Sequence, residues 1–169
     1  MRALLLLALL AAPPGTGFAQ GGGARNAPAR ELLGVYGAWG AFRDPGRCYA
    51  IARPAIGGAR GRAFASVGTF PGRGQRNSLH LRLSRARDRS AGVTLSVGER
   101  RFALVANGLD AWAPDPASER AAVSAIRSGR SMSVEAVGAG GRPFADTYRL
   151  DGAATAIDAA ALACLGRRG

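Results

Sequence analysis

Two cysteines and a single histidine are the residues of this chain with the most specific chemistry. Cys48 and Cys164 lie far apart, without the C-x-x-C spacing that zinc sites and redox motifs use. His80 alone cannot complete a ligand set with them, so we expect no metal site. The two cysteines therefore either form a disulfide or leave Cys48 as a reactive thiol, which the neighbouring Arg47 would favour.

The start of the chain bears on that choice because it indicates a compartment. Arg2 precedes an apolar run over 3–12, a Pro-Pro-Gly break follows, and small residues stand at Gly17 and Ala19. This pattern predicts a signal peptide over 1–19, because a run of about ten residues is too short to span a membrane. A buried N-terminal helix is the alternative. Disulfides persist in exported proteins, so we predict a disulfide between the two cysteines of a periplasmic or secreted protein without a transmembrane segment.

Few residues of the chain are suited to catalysis. It contains no lysine and no G-x-S-x-G, H-E-x-x-H or phosphate-loop motif. A serine hydrolase would have to use His80, which an alternating strand pattern places on an outward face. Four aspartates could pair as catalytic carboxylates, although a turn or a helix start explains each of them: Asp110, Asp115, Asp146 and Asp151. We therefore predict a non-enzymatic protein that needs no cofactor and acts by binding or by supporting the envelope. The alternatives are a hydrolase assembled from scattered residues and a binder of anionic glycans through the arginine-rich segment 73–89.

Arginine supplies every basic side chain of the chain apart from the histidine, and the formal net charge is +12. Arginines are densest over 73–89, where the candidate anion-binding residues are Arg82, Arg85, Arg87 and Arg89. The last three would form a basic loop tip if strands at 78–84 and 92–98 pair. A solvated loop, or an arginine excess from GC-rich coding, is the alternative. We expect the partner to be an anionic envelope or host component, or an unidentified protein, and not nucleic acid.

The elements that must position these residues are mostly short strands. Residues 20–30 are rich in glycine and alanine and predict a disordered lead-in, and 31–169 predicts one domain. Apolar and polar residues alternate over 78–84 and 92–98, as in half-buried strands. The other predicted strands are 34–42, 47–54, 62–70, 101–108, 131–138 and 144–150, with hairpins over 92–106 and 131–150. Helical spacing appears at about 116–128 and 153–164. The prediction is an all-β antiparallel sandwich or barrel with two short helices.

Four motifs follow one another over residues 34–165: YGAWGAFRD with Trp39, RCYAIARP with Cys48, the stretch LDAWAPD with Trp112, and DTYRLDGAATAIDAAALAC with Tyr148 and Cys164. Together they resemble the invasion-associated locus B family of bacterial exported proteins. Some members carry a further cysteine after the first tryptophan, where this chain has phenylalanine. The resemblance implies an exported β-rich domain, linked in some pathogens to host-cell entry, and implies no catalytic mechanism. We expect Trp39, Trp112 and Tyr148 to fill the core of such a domain.

Overall fold

The structure, a computed structural model, describes residues 30–56 and 63–165. The predicted signal peptide and almost all of the predicted lead-in lie outside the described residues. Ten antiparallel strands form a single curled sheet, a half-barrel, and two helices accompany it. The predicted all-β antiparallel class with two short helices is therefore confirmed, and the curled single sheet is closer to the barrel alternative than to two stacked sheets.

The strands follow one another along the chain with short turns between most of them. They are β1 (Glu31–Tyr36), β2 (Trp39–Asp44), β3 (Arg47–Ala52), β4 (Phe64–Phe70), β5 (Gln75–Arg82), β6 (Val93–Val97), β7 (Arg100–Asn107), β8 (Asp110–Trp112), β9 (Ser131–Val137) and β10 (Pro143–Arg149). Their order across the sheet is β1-β2-β3-β4-β5-β8-β7-β6-β9-β10. The predicted hairpins are present as β6–β7 and β9–β10.

Two details of the strand prediction are wrong. The stretch 34–42 is not one strand, because a turn at Gly37 with φ of +55° separates β1 from β2. The pairing of 78–84 with 92–98, on which the basic loop tip depended, is also absent, since β5 pairs with β4 and β8 while β6 pairs with β7 and β9. Alternation predicts that a segment is a strand, but it does not specify which strand lies beside it.

Helices α1 (Pro116–Ser128) and α2 (Ala153–Leu165) confirm the two predicted helical segments. The buried face of α2 is formed by small or branched residues such as Ala156, Ile157 and Ala160. Alanine allows a helix to approach a sheet closely, and α2 packs over β1–β4 while α1 contacts α2 and β5. These helices share one continuous apolar core with both halves of the sheet.

The first strands meet the end of β10 along a short seam. The backbone of Ile56 forms an isolated antiparallel bridge with Thr147, and the indole of Trp39 donates to the carbonyl of Arg149 at 2.9 Å. Gly152, at φ of +81°, lies against the backbone of Tyr36, where an added Cβ would overlap the Tyr36 carbonyl oxygen. The seam holds the two ends of the curled sheet together and needs glycine at this position.

Candidate functional site

Strands β2–β5 have two faces of different character. Side chains directed towards α2 are buried and mostly small or aliphatic: Ala41, Cys48, Ala50, Val67, Leu79 and Leu81. The alternate side chains point away from α2, and we call the surface that they form the open face. It surrounds a concavity of about 1290 Å³. This concavity, here called the groove, is wide enough to hold a ligand.

Small residues form the floor of the groove in two rows that run across the strands. In one row Gly40 pairs with Ile51, Ile51 with Ser66, and Ser66 with His80. In the next row Gly68 lies between Tyr49 and Ser78. Glycine projects nothing from a sheet, and the rings of Phe42 and Phe70 lean over Gly40 and Gly68.

Aromatic rings border the floor at both sides. On one side the rings of Phe42 and Tyr49 stack with centroids 5.7 Å apart. On the other side His80 stacks on Trp112 at 5.6 Å, and the edge of Phe64 meets His80 at 5.0 Å. The groove therefore has flat apolar walls around a small polar floor.

Arg30 and Arg47 cover one of these aromatic walls. Their guanidinium carbons lie 5.8 Å and 4.8 Å from the centroid of Tyr49, and both side chains also donate to Asp44. Burial raises the pKa of Asp44, but the hydrogen bonds from Arg47 and Arg30 outweigh it and hold that pKa below its usual range. Burial also raises the pKa of the Tyr49 phenol, and the Asp44 carboxylate adds to the shift. This wall is an ordered arginine–aromatic stack.

Asp110 contacts two side chains of the other wall, those of Arg82 and His80. Arg82 donates to both of its carboxylate oxygens at 3.0 Å and 2.9 Å, and Nε2 of His80 lies 2.9 Å from Oδ1. Arg82 and His80 belong to β5 and Asp110 begins β8, so the cluster fixes the rings of His80 and Trp112 at the groove margin.

Two further groove arginines have no acidic partner among residues 30–56 and 63–165. Arg53 follows β3, and Arg73 lies in the short 3₁₀ turn after β4 with its guanidinium 5.8 Å from the ring of Phe70. Both residues are exposed. Their charges are therefore available to an anion in the groove.

The four predicted anion-binding arginines do not form one cluster. Arg82 lies in the groove and is paired with Asp110. Arg85 lies over the ring of Phe144 at 5.0 Å, and Arg89 is exposed. Arg87 points into its own loop, where its guanidinium donates to four backbone carbonyls. The segment after β5 is a crossover between the two halves of the sheet, and only part of its positive charge faces solvent.

Trp112 differs from the expectation that it fills the core. Trp39 and Tyr148 are fully buried, whereas Trp112 is 37% exposed. β8 has only three residues, and the buried position in it belongs to Ala111, so its tryptophan points to the opposite, open face. Burial raises the pKa of the Tyr148 phenol, and the Asp146 carboxylate contributes to that shift.

The predicted disulfide is confirmed. Cys48 in β3 and Cys164 in α2 are bonded, with Cα atoms 5.8 Å apart and a sequence separation of 116. Cys48 is fully buried beneath α2, on the side of β3 away from the groove. The bond anchors the helix behind the open face.

Within the described part of the chain, no cluster of three or more histidine, cysteine or acidic side chains has the arrangement of a metal site. No helix there has the length and apolar character needed to cross a membrane.

Sequence reasoning placed Arg73 in the arginine-rich segment 73–89, but it missed Arg53 and the aromatic margin of the groove. The available signal was the alternation of β4, in which Phe64, Ser66 and Phe70 lie at even positions and buried residues at odd ones. The location of the margin depends on which strands are neighbours, and that was not readable from the sequence.

Comparison with known proteins gives no family for the chain, because no family model, curated protein or solved structure matches it. The resemblance to invasion-associated locus B proteins stays a prediction from the motifs.

Proposed function

We propose that this protein is an exported, non-enzymatic binding domain that holds an anionic component of the cell envelope or of a host surface in the groove. The observation that carries the proposal is that Arg53 and Arg73 are exposed and have no carboxylate partner among the described residues. Both lie beside a floor of small residues and walls of aromatic rings. The planar fork of arginine suits carboxylate, sulfate and phosphate groups.

The charge balance of the groove supports an anionic ligand. Five arginines line it, and the acidic side chains that pair with them are Asp44 and Asp110. Cations therefore remain in excess where a ligand would lie. The net charge of +12 for the whole chain would draw anions to the surface, and the walls would orient them. The signal-peptide pattern and the family resemblance support action outside the cytoplasm.

Retention on immobilised heparin tests the groove. We expect the double variant Arg53→Glu, Arg73→Glu to elute at a clearly lower salt concentration than wild type. The matched control is Arg100→Glu, Arg142→Glu, which changes the net charge equally at exposed positions outside the groove. Surface changes of this kind shift stability by less than about 0.5 kcal/mol each, so urea midpoints should stay close to wild type.

A third variant, Arg85→Glu with Arg89→Glu, tests the basic loop after β5. If the groove pair and the control pair lower retention equally, binding depends on net charge alone and the proposal is wrong. If the loop pair lowers retention most, the anion-binding surface is the loop and not the groove.

A hydrolase is the second candidate, favoured by the 2.9 Å contact between His80 and Asp110 at the groove margin. A histidine held by a carboxylate can act as a general base. In that case His80→Gln would abolish cleavage of a groove-bound polymer while leaving its binding intact. Mass spectrometry of an oligomer incubated with each protein distinguishes the two candidates, because a binding domain returns the oligomer uncut.

A further inference from the structure

We infer that the anionic ligand of the groove is a carboxylated polysaccharide, a chain of uronic-acid units lying across the strands of the open face. This inference rests on the proposed function and adds the chemical class of the ligand. The argument depends on three features of the groove: flat walls, a small polar floor, and arginines spaced along it.

The walls fit sugar rings because they present flat faces at a margin that solvent can reach. Trp112 is 37% exposed, and the stacked His80 behind it fixes the orientation of its indole. Phe42, Phe64 and Phe70 are partly exposed at other points of the margin. The C–H face of a pyranose ring packs against such aromatic faces, whose electron-rich surface attracts the weakly positive hydrogens.

The floor combines ring faces with a small polar side chain. The rings of Phe42 and Phe70 lean over Gly40 and Gly68, which have no side chains, so these rings close that part of the floor. Ser66 is partly exposed at the centre and can exchange hydrogen bonds with sugar hydroxyls. A deep apolar tunnel, which a lipid chain would require, is not part of this surface as described.

The spacing of the groove fits a polymer better than a single small anion. From Tyr49 on β3 to Trp112 on β8 the surface crosses three strand spacings, roughly 14 Å. Arg53 and Arg73, which have no acidic partner among the described residues, lie on different segments at the margin of this surface. Carboxylates that repeat along a chain can therefore meet successive arginines, which a lone anion cannot do.

Charge argues against two other occupants. The chain's own segment over 20–29 contains one arginine and no acidic residue, so its charge does not complement the free arginines of the groove. A second copy carries the same net charge of +12 and meets the same repulsion. Single-stranded nucleic acid, like a uronic-acid polymer, presents flat rings and repeated negative charges. The experiment must therefore distinguish binding of the polysaccharide from binding of nucleic acid.

Quenching of Trp112 by acrylamide gives a direct assay with the purified full chain. The only other tryptophan, Trp39, is fully buried, so quenching reports the groove. We expect a linear oligogalacturonate to protect Trp112. The fully methyl-esterified oligomer keeps the sugar rings and loses the charge, and it should bind at least tenfold more weakly. An oligothymidylate of equal charge should also bind at least tenfold more weakly than the oligogalacturonate.

Substitutions link this binding to the groove. Arg53→Gln with Arg73→Gln should raise the dissociation constant for oligogalacturonate at least tenfold, and Arg100→Gln with Arg142→Gln by less than twofold.

Equal or tighter binding of oligothymidylate or of the ester overturns the inference, as does protection of Trp112 by self-association without any oligomer. If the groove pair lowers heparin retention but oligogalacturonate gives no protection, the ligand class is wrong and the proposed function stands. If neither effect occurs, both are wrong.

Discussion

Arg87 shows how one side chain can organise a loop whose sequence suggests a binding tip. One of its guanidinium nitrogens donates to the carbonyls of Asp88, Arg89 and Ala91, and the other to Ala106 on β7 at 2.8 Å. The backbone of Arg87 also forms a bridge with Gly138 at the β9–β10 hairpin. Its guanidinium therefore holds the crossover loop against β7, and we expect Arg87 to act in stability.

We predict that Arg87→Met destabilises the protein by about 2 kcal/mol, because carbonyls that lose a charged donor lack a replacement in the folded loop. Arg89→Met, an exposed change two residues away, is the matched control and should stay within about 0.5 kcal/mol of wild type. Urea unfolding of the three proteins measures the difference. Equal midpoints for the two variants would contradict a structural role for Arg87.

At the scale of elements, helix α1 depends on a charged cap. Asp115 precedes the helix in an extended conformation, and its carboxylate accepts hydrogen bonds from the backbone N–H groups of Ala117 and Ser118 and from the Ser118 hydroxyl. The hydroxyl and the backbone N–H of Ser118 hold the pKa of Asp115 below its usual range. The cap therefore binds the ionised form in the folded protein.

This cap predicts a pH dependence with a definite sign. A folded-state pKa below the unfolded one stabilises the protein fully above the unfolded pKa, and this stabilisation is lost as the pH falls through the folded pKa. Between about pH 5 and pH 2 wild type should lose more stability than Asp115→Asn, whose neutral amide still caps the helix. Circular dichroism gives the free energy of unfolding of each protein at each pH. The contributions of the other carboxylates cancel in the difference between the two proteins. A pH-independent difference would contradict the prediction.

The disulfide joins two other elements, β3 and α2. We predict that Cys48→Ala with Cys164→Ala lowers stability by roughly 2–5 kcal/mol, because the bond closes a long loop in the unfolded chain. Alanine suits the buried position of Cys48, which lies among Ala41 and Ala50. Hydrogen exchange should show loss of protection in α2 before the strands, since the tether holds that helix to the sheet. Simultaneous loss across sheet and helix would contradict this order.

At the scale of the whole molecule, export is the prediction on which the chemistry of the cysteines depends. Protein recovered from the envelope fraction should begin at or near Gln20, because the pattern over 1–19 is that of a cleaved signal peptide. Intact-mass measurement gives the start of the chain directly. Retention of residues 1–19 would contradict export, and the disulfide would then need an oxidising environment of another origin.

The described chain is one curled sheet wrapped around two helices, and this shape separates stability from binding. The helices and the disulfide lie on one side of β2–β5, and the groove lies on the other. Substitutions at Arg53 or Arg73 therefore reach the groove without disturbing the core, which makes the proposed function testable in a folded protein.

The sequence by itself determined the local features of this protein. Alternation marked β5 and β6, helical spacing and an aspartate before a proline marked α1, and an export pattern favoured pairing of the two cysteines. Each of these depends on a few neighbouring residues or on simple counting, so a single sequence was sufficient.

Only the tertiary structure decided which strands are neighbours, and with them the candidate site. β8 lies beside β5 and places Trp112 on the open face. The large apolar side chain of Trp112 had predicted that this residue would be buried. Arg53, Arg73 and Phe64 come from separate segments and border one groove only because β3, β4 and β5 pair in that order. Strand pairing is set by packing of the whole core, because the backbone hydrogen bonds of one register are chemically the same as those of another.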